Sequence, residues 1–307
     1  MTPPAVGGAP IGRPSDWAEL LRLPAGLTVP GDALTGASAT GGTPHRRTWL
    51  AAAASLCLYH AGMALNDYAD RDQDAGERPE RPLPSGRVSP GTALTASGTL
   101  AAAGLLLAAR AGRPALLVAG TLTVTAGAYD LGLKHHALGP AVMATARALD
   151  LLLGAAATDP VSFRRALAPA AALGAHTWAV TAVSRQEAGD GASAGPPTGA
   201  LLTSCAIGLG LGLAGRSVRG RRRGRRTAGP VLAAATAVYL ATAVPPLIRA
   251  AAAPAPANSR RAVASGIRAV IPLQAALCAR SGSATAALAL LTLAPIARHL
   301  AERGDLT

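Results

Sequence analysis

The chain has 307 residues, 50% of them hydrophobic and only 15% charged, with a mean hydropathy of +0.30, which excludes an ordinary soluble domain. Aromatics at 3%, beside 35 Gly and 24 Pro, argue against a β-barrel with aromatic girdles, so the expected fold is all-α: a polytopic membrane bundle packed through Ala and Gly. The net charge of +13 is arginine, because Lys134 is the only lysine; without base-stacking aromatics it points to membrane lipid headgroups and not to nucleic acid.

In chain order, residues 1–15 read as a flexible segment with no apolar stretch and cleavage site, so the first hydrophobic block reads as a retained span. About 20 helical residues cross the roughly 30 Å hydrocarbon core. Blocks of that kind stand near 17–40, 48–66, 88–109, 113–132, 138–158, 165–184, 198–214, 228–248 and 283–300, so about nine transmembrane helices are expected. A tenth block, near 262–280, carries Arg268 and Pro272 and fits a span, a re-entrant piece or an interfacial helix. Residues 16–303 then form a single transmembrane domain, with acidic loops at 66–87 and 185–197 and a basic loop at 215–227. Cys57, Cys205 and Cys278 fall singly in apolar stretches, as buried thiols do, and the lone His60 and His176 read as hydrogen-bonded core residues.

The second span ends in Asn66-Asp67-x-x-Asp70 and the sixth in Gln186-Glu187-x-x-Asp190, an amide-acid-x-x-acid signature repeated at an offset of 120 residues. Four crossings separate the copies, so both open on one face, as expected of two pseudo-repeated four-helix halves; a chance recurrence of so short a signature is the alternative. On a helix, Asn66, Asp67, Asp70 and Asp74 fall at about 0°, 100°, 40° and 80°, one stripe of mutually repelling oxygens that suits Mg²⁺. Gln186, Glu187 and Asp190 repeat the arrangement. One such cluster alone is as readily a solvated acidic loop; two at matched span ends favour function. Prolines stiffen the loop from Glu77 to Arg87 and hold Arg78 and Arg81, whose forks suit phosphate oxygens. Tyr129, Asp130 and Lys134 end the fourth span on the same face, where the lysine either neutralises a departing diphosphate or snorkels to the interface. Arg147 and Asp150, at i and i+3 inside the fifth span, suggest an internal ion pair lining a pocket, or pairing between neighbouring helices.

Asn66-Asp67-x-x-Asp70-x-x-x-Asp74 followed by Arg78-Pro-x-Arg81-Pro-Leu-Pro-Ser-Gly resembles the first aspartate-rich motif of the UbiA superfamily of intramembrane prenyltransferases. Leu21-Arg22-Leu-Pro24, Tyr129-Asp130-Leu-Gly-Leu-Lys134, Arg147-Ala-Leu-Asp150 and Ser184-Arg185-Gln186-Glu187 look closest to its EboC-like branch. The resemblance implies a multi-pass enzyme of the cell membrane in which Mg²⁺ binds an isoprenyl diphosphate donor. Its allylic group passes to a small, usually aromatic or polycyclic, acceptor. By that resemblance Asn66, Asp70, Asp74, Glu187 and Asp190 hold metal, and Asp67, Lys134 and Asp190 are catalytic. Arg78, Arg81, Lys134, Tyr129 and Arg147 bind the diphosphate. Tyr68, Tyr129 and Trp178 are the aromatics in reach of a carbocation, or else ordinary membrane-interface anchors at span ends. The family's second motif has an acid where this chain has Gln186, which motivates the alternative of a catalytically degenerate carrier or assembly component. Basic residues divide evenly between the two faces, so the positive-inside rule decides nothing; the resemblance puts the motif face in the cytoplasm.

Overall fold

A computed structural model describes residues 11–26, 28–186, 193–218 and 228–303; they form helices, with no strand among the described residues. The first span is broken. α1 (Pro14–Leu20) and α2 (Leu23–Gly26) precede α3 (Pro30–Thr40), and the breaks fall at Arg22, whose φ of +48° is disfavoured for a side-chain-bearing residue, and before Pro30. Then follow α4 (Arg46–Glu77), α5 (Pro90–Ala111), α6 (Arg113–Asp130), α7 (Gly139–Thr158), α8 (Leu167–Ser184), α9 (Gly195–Val218), α10 (Ala228–Ala252), α11 (Pro256–Arg280) and α12 (Ala284–Arg303). Proline in the first turn opens α3, α5, α6, α7 and α11, where its missing N–H forfeits no helical bond.

Helices α4 to α7 form one four-helix half and α8 to α11 the other, each helix packed on its successor, with α3 wedged between the halves against α4, α7, α8 and α11. Among the described residues seven helices are long and apolar enough to cross a membrane: α4, α5, α7, α8 with its preceding turn, α9, α10 and α11. The broken first span and α12, whose apolar stretch is Ala284–Leu293, are shorter. The tenth block of the sequence is α11, buried almost continuously from Ala269 to Ala279. A helix hydrophobic all round belongs at the centre of a bundle, and its Arg268 turns to the exposed side.

Small residues set the helix spacing. A Cβ on Gly36 of α3 would lie 2.0 Å from the Leu151 carbonyl oxygen of α7, and one on Gly154 of α7 would lie 2.2 Å from that of Ala33. Backbone therefore meets backbone where α3 crosses α7, and neither side has a flexible atom to move away. Gly36→Val is expected to lower stability by about 3 kcal/mol, the upper range for overpacking, read as a drop in the unfolding midpoint of the detergent-solubilised protein. On the opposite half, the fully buried His176 joins the Tyr239 hydroxyl at 3.2 Å and the Gly266 carbonyl at 3.0 Å, tying α8 to α10 and α11. His60 is half-buried and meets the Leu21 carbonyl at 3.0 Å. Of the three thiols only Cys278 is buried; Cys57 is half-buried and Cys205 is exposed. An apolar stretch in a membrane bundle has a lipid-facing side, so apolar neighbours in sequence do not imply burial in protein.

Candidate active site

Helix α4 runs past the expected span end to Glu77, so the whole first motif is helical and its residues do share a face. The structure divides that face in two along the helical wheel. On one edge, Asn66 donates through Nδ2 to Asp70 at 3.2 Å, and Lys134 Nζ lies 2.5 Å from the other Asp70 oxygen. Lys134 is held there by a 3₁₀ turn, Leu133–His135, that follows α6. Asp130, the last residue of α6, is buried beside Lys134, Asp70 and Asn66.

On the other edge Asp67 and Asp74 are both buried and face arginines. Arg22 Nη2 meets Asp67 at 3.1 Å, and Arg81 Nη1 meets Asp74 at 2.7 Å and Asp67 at 3.9 Å. Asn66, Asp70 and Asp74 therefore do not converge on one point, and among the described residues no three acidic, His or Cys groups stand close enough to share an ion. Carboxylates side by side on one helix repel, and Lys134, Arg81 and Arg22 separate them by ion pairing. Arg81 is thus brought into the site, whereas Arg78 caps α4 and is exposed.

The loop between α4 and α5 is fastened to α1. Arg87 bonds Asp16 at 2.6 Å, Glu19 at 2.9 Å and the Glu80 carbonyl at 2.6 Å. The Arg13 backbone N–H, at 2.7 Å, and the Arg87 guanidinium hold the Asp16 carboxyl below the usual carboxylate range. Beneath the clamp, Leu83 and Val88 pack with Leu20 and Ala64, so Arg81 is presented from a fixed loop.

The second motif is only partly in view. Helix α8 stops at Ser184, and Gln186 sits in the turn beyond it, donating to Ser193 at 2.8 Å. Glu187 and Asp190, the other residues expected in this motif, lie outside the described residues. Arg185 donates to the His136 carbonyl and so brings the end of α8 against the connection between α6 and α7, on the same face as the first motif.

Below this mouth, a cavity of about 190 Å³ opens between α4, α5, α6 and α7. Its walls are apolar apart from Tyr129 and Asp130 at the mouth, Tyr59 and a few small hydroxyls along the side, and Ser55, Arg147 and Asp150 at the inner end. Tyr129 lines the cavity at its mouth. Tyr68 instead packs near α1 under the Arg71 guanidinium, 4.7 Å from its ring, and Trp178 is 44% exposed on the outer surface of the bundle. Arg147 is a correction: rather than reaching for a diphosphate or pairing with Asp150, its Nε lies 3.0 Å from Asp32 of α3. Asp150 takes the Ser55 hydroxyl, and Gln274 of α11 donates to Asp32 at 2.6 Å and to the Thr28 carbonyl, left free by the broken first span, at 2.8 Å. Asp150, three residues further along α7, lies near Arg147 but spends its hydrogen bond on Ser55 of α4, while the direct ion pair of Arg147 goes to α3.

The sequence reading passed over Tyr59, and it noted Arg22 and Asp130 without giving either a role. Arg22 is marked only by its place before Pro24, Tyr59 by nothing local, and Asp130 by its spacing to Lys134.

Residues 30–264 match the model of the UbiA prenyltransferase family. A digeranylgeranylglyceryl phosphate synthase of Methanothrix thermoacetophila is 53% identical over 55 residues, 18% of this chain and 21% of that protein. The chain matches about a fifth to a third of the length of such curated relatives. Among solved structures, the apo form of a UbiA homolog from Aeropyrum pernix aligns with a TM-score of 0.61 at 19% identity, over 79% of this chain and 94% of that one. A UbiA homolog from Archaeoglobus fulgidus bound to GPP and Mg²⁺ aligns with a TM-score of 0.53 at 14% identity, over 83% and 99%. At these identities the two structures speak for the fold.

Proposed function

Because the chain belongs to the UbiA prenyltransferase family, we propose that it is an intramembrane transferase, moving the hydrocarbon of an isoprenyl diphosphate to a small acceptor. One observation carries the reading: a mouth of paired acids and cations, Asp70 with Lys134 and Asp74 with Arg81, stands directly over an apolar cavity sunk into the bundle. A diphosphate and a prenyl chain have that same division between a charged head and a hydrocarbon tail.

The oxygen donors of Asn66 and Asp70, joined at 3.2 Å, suit Mg²⁺, which prefers hard ligands and keeps several of its waters. Asp74, now paired with Arg81, and by their motif Glu187 and Asp190, are the other residues that would hold the ion. Held there, Mg²⁺ would supply positive charge to a departing diphosphate. The chain's own groups do the rest. Lys134 and Arg81 exchange their carboxylate partners for phosphate oxygens as the donor enters, and Arg22 holds Asp67 ready to steady that rearrangement. Arg78 is assigned an outer phosphate contact. Tyr129 and Tyr59 offer ring faces along the cavity to an allylic cation, and the apolar walls keep water from quenching it. Asp130, buried beside Lys134, is placed to take the proton released when the acceptor adds.

For the acceptor, the curated relatives' name favours a glycerol phosphate type over an aromatic or polycyclic one, and it also favours that branch over the EboC-like one. Residues 16–303 act as one transmembrane domain with the motif mouth in the cytoplasm. Gln186, where the family's motif has an acid, supports the second reading of a carrier that binds without transfer. The test is a transfer assay in membranes with labelled isoprenyl diphosphates and a panel of glycerol phosphate and aromatic acceptors: a transferase releases diphosphate, and a carrier retains it. In the same assay Lys134→Met is expected to lower turnover about 100-fold, the usual effect of removing one charge-stabilising donor, with unchanged unfolding temperature.

A further inference from the structure

The end of the bundle opposite the mouth differs from it in charge. Helices α4, α6 and α8 start there and α5 ends there, and six exposed arginines stand in three pairs: Arg46 and Arg47 open α4, Arg110 and Arg113 flank the turn from α5 to α6, and Arg164 and Arg165 precede α8. Asp159 is the only acid at that end among the described residues, and its carboxylate accepts from the backbone N–H groups of Val161 and Ser162 at 3.1 and 3.3 Å. At the mouth Arg22, Arg81, Arg87 and Lys134 each meet a carboxylate, whereas none of the six forms a salt bridge among the described residues.

The fold by itself gains nothing from this arrangement. Like charges side by side repel. A cation at a helix start also opposes the helix dipole, as Arg46 and Arg47 do in the first turn of α4 and Arg113 in that of α6, neither of which holds an acid. Local contacts bring the pairs to one rim: His45 meets the Thr158 carbonyl at 3.1 Å, Arg165 donates to the Thr40 carbonyl at 3.3 Å, and Ala51 of α4 shares a packed cluster with Ala111 and Ala115, beside Arg110 and Arg113. Each pair has a large exposed apolar side chain within a turn: Trp49 follows Arg47, Leu106 precedes Arg110, Leu117 follows Arg113 and Leu167 follows Arg165. Along a helix axis that is a drop of about 6 Å or less. Charge directly above exposed hydrocarbon, with a tryptophan at the border, matches a phospholipid's phosphate above its acyl chains. A nucleic acid or an acidic protein has no use for the apolar half.

We propose that this rim binds anionic phospholipid headgroups, with phosphate oxygens at the arginine pairs and acyl chains along Trp49, Leu106, Leu117 and Leu167. Arginine forks take phosphate oxygens through two N–H groups. A zwitterionic headgroup brings its own cation and neutralises the pairs less, so the surface discriminates by headgroup charge. The rim lies at the opposite end of the bundle from the mouth, so the inference does not depend on the donor reading. Lipid that binds only the folded chain also raises its stability.

The experiment titrates the purified full chain in uncharged detergent with phosphatidylglycerol or phosphatidylcholine of the same acyl chains, reading bound lipid by native mass spectrometry and, separately, the unfolding midpoint. An arginine beside an anionic surface is favoured about fivefold. The expected preference for phosphatidylglycerol is therefore about tenfold or more, with a rise in midpoint that shrinks as salt goes from about 0.05 M to about 0.5 M. The variant R46Q, R47Q, R110Q, R113Q, R164Q and R165Q should cut the preference at least about fivefold; it leaves the basic connection at 215–227 intact, so part of the preference stays. R260Q with R261Q, at the mouth end of α11, should leave it unchanged. If the sixfold variant does not fold, the three double variants decide, each expected to lose part of the preference. Equal binding of the two lipids, or a preference undiminished by these replacements, overturns the proposal. Displacement of phosphatidylglycerol by a mixed-sequence oligonucleotide overturns it too, because the surface then takes any polyanion.

Discussion

Asp70→Ala is expected to lower prenyl transfer at least about 100-fold, and about 1000-fold if the two edges of the motif act as a unit. Asp70 is the one residue of the mouth that touches both partners, Asn66 at 3.2 Å and Lys134 at 2.5 Å. Its loss removes the proposed metal ligand and also frees the lysine from its position. Asp70→Asn separates these effects, because it keeps shape and hydrogen bonding but not charge. The loss should fall on turnover more than on protein stability, read by initial rates in proteoliposomes beside unfolding midpoints. Turnover within about threefold of wild type removes Asp70 from the chemistry.

The second large effect is on stability. Arg147→Met leaves the fully buried Asp32 without its counter-charge and is expected to destabilise the bundle by about 3–5 kcal/mol, as breaking a buried pair by one partner does. Asp32→Leu with Arg147→Leu should recover most of that loss, since a pair replaced together by apolar residues is often neutral. Thermal unfolding of the two single variants and the double variant closes the cycle. Equal loss in the single and double variants means that Arg147 contributes by packing its stem and not by charge.

The helical bundle is written in the sequence because apolar blocks, prolines at helix starts and glycines at crossings act locally. The same holds for the first motif. Asn66, Asp67, Asp70 and Asp74 share one helix, so their angles could be read from spacing, and the wheel positions near 0–40° and 80–100° already contain the division that Lys134 and Arg81 complete. What could not be read is pairing across the fold. Asp32 and Arg147 lie 115 residues apart, and Gln274 joins them from α11. Nothing near Arg147 in sequence names Asp32, so the nearest acid, Asp150, was the natural expectation. Of the second motif only Gln186 is described, in the turn after α8, and Glu187 and Asp190 lie outside the described residues.

The central claim is that the mouth grips a diphosphate through magnesium. Calorimetric titration of the detergent-solubilised chain with a non-ionisable thiodiphosphate analogue of geranyl diphosphate, with Mg²⁺ and then with EDTA, tests it directly. The account predicts saturable binding with Mg²⁺ that is lost in EDTA and in Asp70→Ala. Equal binding with and without the ion, or binding unaffected by that substitution, would contradict it.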